Sequence, residues 1–388
     1  MIRATRLSED HQMFRDSLRI FMEKEVHPHI DKWERNQQID RDIWKKMGEM
    51  GFMGINFPEQ YGGLNLDFYY AMILCEELSH CFSGGFTISA LVIQFMSAPY
   101  LLKYGTEDLK EKYLKPVIMG DLISAVAITE PGAGSDVKNI RTTAVRQGDH
   151  YIINGSKTFI TNGYYGDFFI TAVKTDPGAG SKGISLILID RHAPGVSAHK
   201  IDKMGWHASD TAELRFDQVQ VPATNLLGEE GAGFGYLMDG LQLERLTAAI
   251  QSIATAEFTL QYTMDYINVR EAFGKKLQEF QVIRHRIAQM VADIKTTKAF
   301  VNYCCDLQND NIYAVEDCSI AKLQANELAI SIVHQCLQLF GGYGFTEEYK
   351  IARMYRDVRA GTIIGGTSEI MLEIIAKMEI DGVHYKNK

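Results

Sequence analysis

The sequence predicts an α+β multidomain protein with an N-terminal helical domain, a middle antiparallel β domain and a C-terminal helical bundle. All eight prolines lie at or before position 222, and Gly274 is the only glycine between Gly240 and Gly341. Because proline and glycine both interrupt helices, the C-terminal part is expected to form long helices. Residues 121–225 instead contain short β-branched and aromatic runs bounded by turn signals, which favour strands. The length of 388 residues also favours several domains.

The N-terminal domain is predicted at residues 1–120, with helical patterns at residues 13–26 and 41–50. The glycine pairs Gly62-Gly63 and Gly84-Gly85 are expected to interrupt these helices.

The middle domain is predicted at residues 121–230. Strands are expected at residues 151–155 and 159–163, each closed by an Asn-Gly turn signal. Further strands are expected at residues 167–173, 183–189 and 214–221, the last of which alternates apolar and polar residues. Several short strands at this spacing favour a small sandwich or barrel over a parallel sheet with crossover helices.

The C-terminal domain is predicted at residues 231–388. Apolar residues recur near helical spacing, from Leu237 to Ile253 and again from Ile283 to Ile294.

Composition excludes several kinds of protein. The chain has 40 Lys and Arg against 49 Asp and Glu, a net charge of −9, which argues against binding nucleic acid or an anionic membrane. No apolar run is expected to reach the roughly 18 residues of a membrane span. Residues 1–10 have no hydrophobic segment typical of a secretory signal. The six cysteines have no metal-ligand spacing, so we expect free thiols, no metal site and a cytoplasmic location.

A glycine-rich loop at residues 127–137 is the most conspicuous local motif. Gly132-Ala133-Gly134 suggests a dinucleotide-binding fingerprint, but Val137 stands where that fingerprint has its third glycine. The antiparallel surroundings also disfavour that interpretation. Considered alone, the loop is as compatible with a structural turn as with a ligand-binding loop, to which Thr129 and Ser135 would contribute hydroxyl groups.

Six segments together resemble the acyl-CoA dehydrogenase family. They are AITEPGAGSDV at 127–137, GSKTFITNG at 155–163, KMGWHASDTAEL at 203–214, REAFGK at 270–275, QLFGGYGF at 338–345 with Arg353 and Asp357 beyond it, and TSE at 367–369. They occur in the family's order along essentially the whole chain. The resemblance places residues 270–275 on a helix that crosses the family's dimer interface.

The resemblance implies an FAD enzyme that assembles as a homotetramer, a dimer of dimers. It places two sets of residues on the cofactor. Residues expected around the flavin are Ile128, Thr129, Ser135, Phe159, Ile160 and Thr161, and residues expected along the rest of FAD, partly from the neighbouring subunit, are Arg270, Phe273, Gln281, Gln338, Gly341, Gly342, Thr367 and Glu369. Without the resemblance, the residues alone favour a solvated helix charge at Arg270, a core aromatic at Phe159 and a helix stop at Gly341-Gly342.

The reaction that the resemblance implies is α,β-desaturation of an acyl-CoA thioester, in which a carboxylate removes the α-proton and flavin N5 accepts a hydride. Relatives place this carboxylate at one of two positions, which here are Gly365 and Glu244. Only Glu244 can act as the base. Its spacing from Leu241 and Ala248 puts it on an apolar helix stripe, where a structural salt bridge is the alternative. Ser135, Arg245, Gly365 and Gly366 are the expected substrate contacts.

Three departures from the family pattern leave the substrate open. Asn139 stands where the family's first signature usually has a small residue, Gln242 where many relatives with this base position have aspartate, and Ile364 where a tyrosine is common. The base position favours a medium-to-long or branched acyl chain, with an electron-transfer flavoprotein as acceptor. The alternative is an FAD-dependent acyl-CoA oxidase or flavin monooxygenase on the same scaffold. A nucleic-acid-associated relative is disfavoured by the net charge, and a silent FAD-binding partner by the intact Glu244.

Overall fold

The computed structural model describes residues 7–385. The first six residues, on which part of the expectation about targeting rests, and residues 386–388 lie outside the described chain. The N-terminal part is helical, as predicted. Its helices are α1 (Glu9–Phe21), α2 (Ile30–Asn36), α3 (Asp42–Glu49), α4 (Phe68–Ser79), α5 (Gly84–Leu91), α6 (Ala98–Tyr104), α7 (Glu107–Leu109) and α8 (Lys115–Ile118). Side-chain caps from Ser8, Asp67, Ser83 and Thr106 start four of them.

Helices α5 and α6 are joined by a π-helical segment, Val92–Ser97, into one continuous helix. This helix, Gly84–Tyr104, is long and apolar enough to cross a membrane by length and composition. The expectation that no segment reaches this limit was therefore wrong. However, 83% of its apolar window is buried inside the protein, which is typical of a core helix.

The middle part forms one sheet in the order β6-β7-β3-β2-β4-β5-β8, with β1 pairing β4. The strands are β1 (Ser124–Ala127), β2 (Thr143–Gln147), β3 (His150–Ile160), β4 (Phe168–Lys174), β5 (Ile184–Asp190), β6 (Val196–Lys200), β7 (Ala212–Pro222) and β8 (Leu226–Leu227). Most pairs are antiparallel, as predicted, but β4 pairs in parallel with both β1 and β2.

The two strands expected at residues 151–155 and 159–163 are wrong as separate elements. Strand β3 continues through Asn154-Gly155, where an irregularity in its pairing with β7 absorbs the glycine. Gly155 has φ +150°, and a Cβ there would lie 2.5 Å from Oγ1 of Thr142. This Asn-Gly pair therefore permits close strand approach instead of forming a turn. The second pair, Asn162-Gly163, does lie in a turn.

The C-terminal part contains the predicted long helices. They are α9 (Gly233–Val269), α10 (Gln281–Asn309), α11 (Val315–Phe340), α12 (Ile351–Val358) and α13 (Ser368–Glu379). The expectation of a helix at residues 270–275 was wrong. Helix α9 ends at Val269, and β9 (Glu271–Ala272) pairs with β10 (Lys275–Lys276) in a small hairpin. Positive φ at Phe273 and Gly274 makes its turn.

One carboxylate on α12 connects all three parts of the chain. Asp357 accepts hydrogen bonds from the backbone N–H of Gly84 in α5 (2.9 Å) and of Trp206 after β6 (2.6 Å). Burial, with the nearby charge of Glu34, raises the pKa of Asp357 to about 7. A side chain at Gly84 would collide with Trp206, so these contacts require glycine there.

Candidate active site

Glu244 lies on α9 and is 8% exposed. Its Oε1 accepts a hydrogen bond of 3.0 Å from Oη of Tyr100 on α6. Burial raises the pKa of Glu244 to about 7, although the Tyr100 hydrogen bond and the charge of Arg245 act in the opposite direction. No ion pair engages Glu244 among the described residues, so the salt-bridge alternative lacks support. A carboxyl group with a pKa near neutrality is suited to accepting a proton.

Gly240 allows Tyr100 to reach the base. A Cβ on Gly240 would lie 2.4 Å from Oη of Tyr100, so a larger residue would push the tyrosine away from α9. Sequence reasoning missed Tyr100, because 144 residues separate it from Glu244 and no local pattern links them.

Two buried cations, Arg245 beside the base and Lys322 on α11, interact electrostatically with each other. Arg245 is 6% exposed, and its Nε has no hydrogen-bond partner within the described chain. Burial lowers the pKa of Arg245, although Glu244 beside it acts to raise it. The second cation is Lys322 on α11, which is 1% exposed and which sequence reasoning also missed.

The segment 361–366, here called the glycine turn, contains Gly365, which occupies the alternative base position. Gly365 and Gly366 have φ of +60° and +92°, which favour glycine. Lys322 donates through Nζ to the carbonyl oxygens of Gly361 (3.2 Å) and Gly366 (2.5 Å). Gly365 is exposed.

The residues expected around the flavin come together at one edge of the sheet. Thr158 donates its backbone N–H to the carbonyl of Thr129 at 2.9 Å, which joins the glycine-rich loop to the end of β3. The ring of Phe159 is 66% exposed and its φ is +61°. Ile128, Thr129 and Thr161 are half-buried, and Ser135 is exposed. The core-aromatic interpretation of Phe159 is therefore wrong.

Ile160 is more deeply buried than Phe159 and Thr161, its neighbours at this edge of the sheet. It is 2% exposed, and its side chain packs in the core of the sheet. Its side chain points away from the exposed ring of Phe159, because alternate side chains of a strand point to opposite faces, and a contact of Ile160 with the cofactor stays a prediction.

A buried ion pair fixes this edge. Lys157 is fully buried, and its Nζ donates to Oε1 of Glu130 (2.8 Å) and to the carbonyl of Ile128 (2.9 Å). Glu130 also accepts the backbone N–H groups of Arg141 (2.6 Å) and Thr142 (2.9 Å). Burial lowers the pKa of Lys157 to about 8, although Glu130 acts to raise it. The pair holds the glycine-rich loop against the strand that carries Phe159.

The other expected cofactor residues lie on the C-terminal helices and are mostly exposed. Arg270 forms no ion pair within residues 7–385, and its guanidinium lies 5.3 Å from the ring of Tyr343, just past the end of α11. At the start of α13, Thr367 caps the helix by accepting the N–H of Ile370. The residues near the ends of α9, α10 and α11 are Phe273, Gln281, Gln338, Gly341 and Gly342, and Glu369 lies in the first turn of α13. No hydrogen bond or ion pair of the described chain joins this set to the sheet edge.

These residues fit FAD. A Cβ on Gly132, Gly134, Gly341 or Gly342 would meet nothing within 4 Å, so these glycines border open space instead of filling a packing need. Gly341 also has φ +58°, and it ends α11. The exposed backbone of these glycines can approach phosphate groups, and the exposed ring of Phe159 can pack on a flat ring system. The guanidinium of Arg270, which has no ion-pair partner in the described chain, can bind a diphosphate.

A cavity lies one helical turn beyond the base. It is bordered by Ala248 and Thr255 on α9, Thr87 on α5 and Met354 on α12. Ile364 lines the same cavity, where it packs against a cluster of Ile88, Val92 and Trp206. Gln242 is turned away from it and accepts the N–H of Ala314 at 2.7 Å. Of the three residues that depart from the family's sequence pattern, Ile364 is therefore the one that lines this cavity.

We expect Tyr100→Phe to move the pH dependence of turnover. Glu244 must be ionised to act as a base, so kcat should rise as the pH increases through about 7. Removing a hydrogen bond to a charged group costs roughly 1.5–3 kcal/mol, so the rising limb should move upward by about one to two pH units. Steady-state kcat between pH 5.5 and 9.5 measures this. Tyr104→Phe is the control, because Tyr104 binds Asp239 instead; an unchanged limb in Tyr100→Phe would contradict the assignment.

Comparison with known proteins identifies the same family that the sequence motifs resemble. The N-terminal, middle and C-terminal domain families of acyl-CoA dehydrogenases match residues 8–121, 125–219 and 231–379. The chain is 41% identical over 375 residues to a mitochondrial long-chain specific acyl-CoA dehydrogenase of Mus musculus, covering 95% of this chain and 86% of that protein. It is 38% identical to a mitochondrial 2-methylacyl-CoA dehydrogenase of Solanum tuberosum over 375 residues, covering 96% and 90%.

A solved structure agrees with these matches. The crystal structure of an acyl-CoA dehydrogenase from Geobacillus kaustophilus aligns with a TM-score of 0.94 and 45% identity, covering 97% of this chain and 99% of that one. Fold and site thus define an FAD-dependent oxidoreductase. The chain belongs to the acyl-CoA dehydrogenase family.

Proposed function

We propose that the protein desaturates an acyl-CoA thioester to the trans-2-enoyl-CoA, with Glu244 as the base. The observation that carries this proposal is a buried carboxyl group without an ion-pair partner in the described chain, whose pKa burial raises to about 7. The alternative position offers only Gly365, so no second carboxylate competes for the role there.

Several residues of the chain have separate roles in the proposed desaturation. Glu244 takes the α-proton, and Tyr100 orients its carboxylate through the hydrogen bond to Oε1. The backbone N–H of Gly365 binds the thioester oxygen, where negative charge develops. Bound FAD would supply the hydride acceptor for the β-hydrogen. Thr161 and Phe159 hold its ring system, and the buried surroundings of Glu244 exclude water.

The acyl chain is proposed to be medium-to-long or branched. The cavity extends from Ala248, one turn after the base, to Phe82 and Met354. The long-chain and 2-methylacyl-CoA relatives support this range.

We also propose a homotetramer, an electron-transfer flavoprotein as the electron acceptor, and a cytoplasmic location. Large apolar side chains are exposed around Arg270, with Val269 at 70%, Phe273 at 96% and Val282 at 68%. Such a patch supports burial against a neighbouring subunit. The location rests on the six buried, unpaired cysteines, which are typical of a reducing compartment.

An anaerobic titration tests the reaction. The FAD-loaded protein is mixed with acyl-CoAs from butyryl to palmitoyl, with isovaleryl and citronellyl among them, while the flavin absorbance is recorded. Bleaching by medium-to-long or branched chains is the expected result. Flavin that stays oxidised with the whole panel would refute the proposal, and rapid peroxide formation in air after bleaching would favour the oxidase alternative.

We expect Arg270→Ala to weaken FAD retention. Loss of a charge-assisted contact with the diphosphate should raise the Kd for FAD by roughly tenfold to a hundredfold. Flavin content after dialysis against graded FAD concentrations measures this. Arg215→Ala removes an exposed arginine of β7 and should retain FAD; equal occupancy in the two variants would count against the assignment.

A further inference from the structure

The ammonium group of Lys322 lies directly against the glycine turn. Besides its hydrogen bonds to Gly361 and Gly366, its Cε lies 3.8 Å from the position that a Cβ on Gly365 would occupy. A single buried side chain therefore joins the two ends of the turn and lies close to Gly365, the residue proposed to present its N–H to the thioester oxygen.

The charge of Lys322 has no acidic partner at contact distance. Within residues 7–385, no carboxylate lies within 4.0 Å of its Nζ, and the nearby Glu327 is exposed and accepts a hydrogen bond from Ser368. Burial and the positive charge of Arg245 lower the pKa of Lys322 to about 8. Two buried cations, Lys322 and Arg245, therefore lie close enough to repel each other, and Arg245 in turn interacts with Glu244.

An excess of buried positive charge costs stability in the resting protein. It becomes favourable when negative charge appears nearby during a reaction, because fixed charges act strongly where water is excluded. The proposed reaction supplies such a charge at the oxygen bound by Gly365.

We propose that Lys322 is a positioning residue that stabilises the developing enolate, by fixing the Gly365 N–H and by placing a positive charge behind it. When Glu244 takes the α-proton, the electron pair of that C–H bond forms the C=C bond and the thioester π electrons move onto oxygen. Lys322 neither gives nor receives a proton in this step. The inference rests on the proposed function.

The test measures α-proton removal separately from oxidation. The FAD-loaded protein is incubated in D2O with a 3-thiaacyl-CoA, which has acidic α-hydrogens and cannot be desaturated, and deuterium uptake is followed by mass spectrometry. Lys322→Met should slow the exchange by about 100-fold, the effect typical of losing one oxyanion contact. With an oxidisable acyl-CoA, kcat should fall similarly while KM changes less than threefold.

Two further variants separate charge from structure. Lys322→Gln retains an N–H donor without the charge and should also slow the exchange at least tenfold. Lys298→Met removes another partly buried lysine, which pairs with Glu76 and Glu257, and should leave the exchange rate unchanged.

Exchange within threefold of the unmodified protein in both Lys322 variants would overturn the inference, as would a change confined to KM. If neither Lys322 variant folds with FAD, the lysine has a structural role and the inference also fails. If the unmodified protein itself neither exchanges α-hydrogens nor is reduced by any acyl-CoA, the proposed function fails instead.

Discussion

Glu244→Gln should reduce turnover by about 10³–10⁴-fold, which is in the upper part of the range for loss of a general base. The amide has the same shape as the carboxyl group and can still accept the hydrogen bond from Tyr100, so the fold and FAD binding should persist. It cannot take up the α-proton, and no other carboxylate stands at the alternative position, Gly365.

The measurement is kcat at saturating acyl-CoA, together with flavin content and the rate of flavin reduction. Glu257→Gln is a matched control, because Glu257 lies on the same helix α9 but pairs with Lys298. That control should stay within threefold of the unmodified protein. Turnover above a tenth of normal in Glu244→Gln would place the base elsewhere.

Lys157→Met should lower the free energy of unfolding by about 3–5 kcal/mol, the usual cost of removing one partner of a buried ion pair. Glu130, which is 7% exposed, would keep the backbone N–H donors of Arg141 and Thr142 but lose the cation that balances its charge. Since the pair joins the glycine-rich loop to β3, FAD occupancy should fall as well. Urea unfolding followed by far-UV circular dichroism measures the stability, and absorbance measures the flavin.

The double variant Glu130→Gln/Lys157→Met distinguishes an unpaired charge from lost packing. Removing both charges should recover part of the stability lost in Lys157→Met, because no uncompensated carboxylate is left in the interior. A loss below about 1 kcal/mol in the single variant would show that the pair does not stabilise this edge.

The periodicity of apolar residues and the positions of proline and glycine were sufficient to predict the three-part fold. The absence of proline after Pro222 correctly indicated the long helices α9, α10 and α11. Two local errors have a common cause. Asn154-Gly155 and Phe273-Gly274 permit positive φ, but neighbouring strands decide whether such a residue makes a turn or a bulge, or ends a helix.

The candidate site was predictable where the signal was local. Glu244 stood out as a carboxylate on an apolar stripe. The same reasoning applies to Lys322, which lies four residues after the buried Cys318 and seven before the buried Ala329, so its burial was detectable. The partnership of Tyr100 with Glu244 was not detectable, because it depends on how α6 packs against α9.

The Asp357 junction has a consequence for protein engineering. Its carboxylate receives N–H groups from two segments that belong to different domain families, so its geometry depends on both. A chimera that takes α12 from a relative without an aspartate at position 357, while retaining this α5 and this Trp206, would leave both N–H groups without their acceptor. Recombination with such a relative should therefore succeed only when residues 84, 206 and 357 are exchanged as one set.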